Sequence, residues 1–106
     1  MAKFLVRVSY TPDGVKGLMK DKASGRRAAV AKLIESDGGK IEAFYYAFGT
    51  DDAVSIVDLP SNTAAAAFSL AVNAAGLAQL SLTPLLTVEE MDAALGKSVT
   101  YRPPGR

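Results

Sequence analysis

Histidine and cysteine are both absent from the 106 residues. Without Cys there is no disulfide framework, no thiolate nucleophile and no zinc-thiolate site. Without His there is no Ser-His or Cys-His dyad, no imidazole general base and no ordinary proximal haem ligand. An excess of one charge is missing too: 12 Lys and Arg face 11 Asp and Glu. The chain therefore has no global electrostatic footprint for nucleic acid or for an anionic membrane. A long apolar run is also lacking. The stretch "AAAAFSLAVNAAGLAQLSL" is mostly Ala and is interrupted by Ser69, Asn73, Gly76 and Gln79, whereas a membrane span takes about 20 strongly apolar residues. The opening "MAKFLVRVSY" alternates and contains Arg7, unlike a signal peptide, so the expected compartment is the cytoplasm. Chemistry is left to carboxylates, tyrosines, lysines, arginines, hydroxyls and backbone amides. No spacing asks for a metal, and no cofactor is expected.

What is present is a globular composition, 49% hydrophobic, and at this length it suits one core rather than two. We read residues 1–106 as a single domain with 97–106 an extended tail. Residues 3–10 read as a strand, with Phe4, Val6, Val8 and Tyr10 on one face and Lys3, Leu5, Arg7 and Ser9 on the other. "TPDG" reads as a turn that stops it. "VKGLMKDKA" suggests a short helical turn, and Ser24 reads as the N-cap of a better helix that ends at Gly38-Gly39. Strands follow at about 40–48 and 53–59, joined by "GTDD". Ser61 reads as the N-cap of a helix over about 62–75, with Gly76 as its C′ residue. Residues 77–86 make a fourth strand, and Thr87 with Glu90 matches a capping box for a short C-terminal helix.

This order, βαββαβ with one further helix, predicts a ferredoxin-like α+β sandwich: an antiparallel four-stranded sheet, order 4-1-3-2, with two helices on one face. Such a sheet leaves one face uncovered. The strand "KIEAFYYAF" sharpens the problem, because alternation puts Phe44, Tyr46 and Phe48 on one side and Ile41, Ala43, Tyr45 and Ala47 on the other. A patch of that kind exceeds what monomers usually leave in water. A twin subunit, a stacked nucleic acid or a small ligand are the coverings to weigh. Strand "AVSIVDL" carries no ring and one acid, unlike an RNA-recognition strand, so no nucleic-acid partner is expected and no membrane either.

The segments "SYT", "SGRRAAVAKL", the double Gly and "YAFG", with the later "AAAAFSLAVNAAG" and "LTPLLTVEEMDAA", resemble the bacterial GYD-domain family over most of its length. Gly49 and Asp52 fit the naming motif, while Asp51 stands where that family has Tyr. The resemblance implies a dimeric α/β barrel in which two ferredoxin-like subunits pack sheet to sheet, and it implies no particular reaction.

Candidate ligand contacts are Arg7, Ser9, Tyr10, Tyr46 and Asp52. Arg7 and Ser9, with Ser55, Gln79, Ser81 and Thr83, are expected on one common polar face lining a cavity. Tyr10, Tyr45 and Tyr46 would add hydroxyls there, with Arg7 stabilising an anion or a phenolate. Ser24, Arg26 and Arg27 are candidate anion-binding residues at a helix start. The expected function is an oligomeric small-molecule-binding domain with its cavity between facing sheets. A cofactor-independent oxygenase or isomerase in the same cavity and a purely structural oligomer are the alternatives. The expected partners are a second copy of the chain and a small molecule.

Overall fold

The computed structural model describes residues 1–106. Strict alternation over the opening residues gives β1 (Ala2–Tyr10), with Phe4 and Val6 buried. "TPDG" then starts a helix instead of a turn. The Thr11 side chain accepts the Gly14 N–H at 3.2 Å, and Pro12 takes the first helical position, where a missing N–H costs nothing. The resulting α1 (Pro12–Ser36) is one long element broken at Lys22, whose φ of 67° and ψ of 163° are not helical. The break falls two residues before Ser24, so Ser24 is not the cap that the sequence suggested.

β2 (Lys40–Tyr46) stops two residues short of its expected end, and β3 (Ala53–Leu59) matches its expected span. Ser61 caps α2 (Asn62–Ala74) by accepting the Ala64 N–H at 3.1 Å, and Gly76 supplies the positive φ, 75°, that leads out of that helix. β4 (Ala78–Leu85) and α3 (Val88–Leu95) follow. The Thr87–Glu90 capping box is present at both of its bonds, 3.0 and 2.9 Å.

The strands are ordered β2-β3-β1-β4 and every neighbouring pair is antiparallel. This is the expected 4-1-3-2 order read from the other edge, and the fold is ferredoxin-like α+β. Asn73 near the end of α2 fixes that helix to the edge strand: its amide accepts the Leu80 N–H at 2.8 Å and donates to the Leu80 carbonyl at 3.1 Å. At the other end of the sheet, Gly14 abuts the Leu77 carbonyl with no room for a Cβ, which seats the start of α1 beside the entry to β4.

Register decides which side chains share a face. Phe4 pairs with Val57 and Pro84, and Val6 with Ser55 and Leu82. All of these side chains turn toward the helices, where Ile34 of α1 and Phe68 of α2 complete the core. Leu5, Arg7 and Ser9 therefore lie on the opposite, outer face, with Val54, Ile56, Gln79, Ser81 and Thr83. Ser55 does not belong with them; it is buried on the helix side, and its hydroxyl donates to the Ala43 carbonyl at 2.8 Å.

In β2 the simple alternation fails. Ile41 pairs with Val57, but Ala43 pairs with Ile56, so Glu42 is an extra residue and a β-bulge resets the phase. Ile41 therefore shares the helix-facing side with Phe44 and Tyr46, and Tyr45 shares the outer face with Ala43. Phe48 lies past the strand end and is fully exposed. No residue of α3 is buried. The radius of gyration is 16.9 Å, against about 13 Å for a compact domain of this size, and α3 with the segment after it adds length without adding core.

Candidate ligand cavity between the helices and the sheet

The expected ligand contacts fall on two sides of the sheet. Arg7 and Ser9 are on the outer face, where they border a shallow recess of about 270 Å³ together with Asp51 and Gln79. The Arg7 Nε donates to Asp51 Oδ2 at 2.8 Å, and the Ser9 hydroxyl donates to the Thr50 carbonyl at 3.0 Å. Tyr10 and Tyr46 lie on the helix side, so Arg7 cannot stabilise an anion or phenolate at either. Tyr45 faces outward, away from both. Asp52 is committed to the backbone: its carboxylate accepts the Tyr10 N–H at 2.8 Å while its own N–H donates to the Val8 carbonyl at 2.8 Å. "GTDD" thus ties the β2–β3 hairpin to the end of β1, Asp52 through backbone groups and Asp51 through Arg7.

A different space is formed on the helix side. Val6, Val8 and Leu80 make the floor of an apolar cavity of about 90 Å³, and Val30, Leu33 and Phe68 close it from above. Arg26 is its one charged lining residue. The cavity abuts a wider cleft of about 360 Å³ between the first half of α1 and the end of α2. Tyr10, Arg26, Leu33, Val72 and Ala78 border both spaces. The cleft exists because small residues face each other there: Gly14 and Gly17 on α1, Ala71 and Ala75 on α2. Side chains without bulk cannot close the gap that the helices leave.

The break at Lys22 shapes the rim. Beyond it the chain resumes as a helix with Ala23 facing β2, and the Tyr46 hydroxyl donates to the Ala23 carbonyl at 2.9 Å. Burial pushes the Tyr46 phenol above its ordinary value near 10, the neighbouring Tyr10 raises it further, and Arg26 opposes both weakly. Tyr46 is therefore a protonated donor at neutral pH, already engaged, rather than a base. Its ring also meets Phe44 edge to face at 5.2 Å, a favourable aromatic geometry. Of the three residues proposed for anion binding, Ser24 and Arg27 are exposed. Only Arg26 turns into the cleft, where Asp21 stands 3.7 Å from its guanidinium, longer than a charge-assisted hydrogen bond.

The outer face has its own electrostatics. Lys3 Nζ donates to Asp58 at 3.0 Å and to Glu42 at 3.2 Å, and these bonds raise the Lys3 amine above its ordinary value of 10.5. Asp58 is buried beneath that bridge. Between this cluster and the Arg7–Asp51 pair lie Leu5, Val54 and Ile56, all partly exposed, with Tyr45 at the edge.

Val30, Leu33, Phe68 and Val72 belong to the core or pack against it and also enclose a space. The available signal was the excess of Gly and Ala on the two helices, which supply length without volume.

An antiparallel βαββαβ sandwich with an apolar cavity under its helices defines a ferredoxin-like α+β domain. The chain belongs to the GYD domain family, whose model matches residues 4–95. No curated protein and no solved structure matches it. No helix is long and apolar enough to cross a membrane.

Proposed function

We propose that this GYD domain is a homodimeric small-molecule-binding module whose ligand enters the helix-side cavity while the outer sheet face meets a second copy. One observation carries the binding reading: an apolar void abuts a wider cleft, and one cationic side chain borders both. Protein interiors leave few voids larger than a water molecule, and an apolar pocket with few polar groups is the usual form of a ligand site. Binding is favoured over cofactor-independent catalysis because no carboxylate or lysine lines the inner cavity and the nearby Tyr46 hydroxyl is already engaged by a backbone carbonyl.

Dimerisation is supported by what the single chain leaves uncovered. The outer face presents an apolar centre between two charged clusters, and a two-fold pairing would bury that centre and keep the charges at its margin. α3 adds Val88 and Leu95, each 75% exposed.

Val72→Phe tests the binding site. The added ring should fill the void, keep the fold and abolish binding of 1-hexanol as measured by calorimetry. Unchanged hexanol binding by this variant would place the ligand elsewhere.

A further inference from the structure

The cavity proposed above also constrains the chemistry of what enters it, and we infer that its ligand is a small carboxylate with an apolar tail, held by Arg26. The inference rests on the binding reading and adds the head group. Arg26 is the one cation among the residues lining either space, and it sits where the two spaces adjoin. Its Asp21 partner is at 3.7 Å, too long for a charge-assisted bond. The guanidinium keeps its capacity for a two-pronged bond to a carboxylate.

Two polar groups near the cavity are already engaged, and the Tyr10 side chain, which borders both spaces, is the neutral donor beside Arg26. The Ser55 hydroxyl donates to Ala43 and the Tyr46 hydroxyl to Ala23. A neutral polar head would therefore find a single neutral donor at Tyr10, whereas an anionic head finds the two-pronged, charge-assisted donor of Arg26. A cationic head would meet Arg26 itself.

Size sets the tail. The inner cavity, at about 90 Å³, is smaller than the roughly 150 Å³ void that accepts benzene. It suits a short alkyl chain, with the head group at Arg26 and the wider cleft as the route to solvent. Asp21 is then a competitor: it weakly neutralises Arg26 in the empty protein and must yield to the incoming carboxylate.

Three probes of matched length separate these points: hexanoate, 1-hexanol and hexylammonium, each titrated by calorimetry into the parent protein, Arg26→Gln and Asp21→Asn. Hexanoate should bind the parent about tenfold tighter than hexanol, the lower range expected for a charge-assisted bond at a partly exposed group. Hexylammonium should bind most weakly. Arg26→Gln should remove the preference for hexanoate over hexanol, and Asp21→Asn should strengthen hexanoate binding relative to hexanol. Equal binding of hexanol and hexanoate by the parent would overturn the carboxylate inference and leave the cavity reading intact. Binding of none of the three would overturn both.

Discussion

The two faces of the sheet are built from the same strands and differ in what they ask of a partner. The helix-facing side holds Phe4, Val6, Val57 and Leu59, each at most 3% exposed, and its one imperfection is a void between helices too lean to fill it. The outer side holds a few half-exposed aliphatics between ion pairs. One face is a core with a vacancy, and the other is a margin that a second surface can complete. Side chains that alternate along one strand thus serve two unrelated tasks, and pooling them into a single site mixes the two.

Mutations at matched positions should separate the faces. Phe68→Ala, at the roof of the cavity, should lower unfolding free energy by about 3–5 kcal/mol, as expected for loss of a buried ring, read by urea denaturation. Ile56→Asp on the outer face should leave the folded subunit intact and shift sedimentation to a single-chain species. Loss of folding in Ile56→Asp, or dimers that persist, would break the contrast.

The rim of the cleft gives a smaller effect of opposite sign. Lys22 occupies a region of φ and ψ that is nearly confined to glycine. Lys22→Gly should therefore stabilise the protein by about 1 kcal/mol, seen as a higher urea midpoint. A lower midpoint would mean that the lysine side chain contributes more than its backbone costs.

How far the sequence discloses these features depends on the range of the forces involved. β3, the Ser61 cap, the Gly76 exit and the Thr87–Glu90 box rest on local chemistry and were legible. The start of α1 was read as a turn because Thr-Pro-Asp-Gly suits both a turn and a helix N-terminus, and the Leu77 carbonyl that settles the matter lies over 60 residues away. The bulge at Glu42 depends on how β2 registers against β3, which no local pattern encodes. The break in α1 was legible to within two residues, at Ser24 rather than Lys22, but no local pattern shows that Arg26 then turns into the cleft. The separation of Arg7 from Tyr10 was legible, since three residues apart on a strand means opposite faces.

On the outer face, Arg7→Ala, Asp51→Ala and the double variant should give a coupling energy of no more than about 1 kcal/mol, as for exposed ion pairs. A larger coupling would assign the hairpin tie more weight than its exposure suggests. The contribution of the Lys3 bridge depends on pH. Its amine is raised in the folded state, so its stabilisation is complete below the ordinary value of 10.5 and fades as pH rises through the folded value. Thermal melts of Lys3→Met should fall below the parent at neutral pH and converge with it above that value.

The central claim is that ligand binds on the helix side of the sheet, and methyl NMR during a hexanoate titration tests it most directly. Saturable shifts at Val30, Leu33, Val72 and Leu80, with Leu5, Val54 and Ile56 unmoved, are the predicted result. Saturable shifts confined to Leu5, Val54 and Ile56 would contradict it and return the binding site to the space between facing sheets.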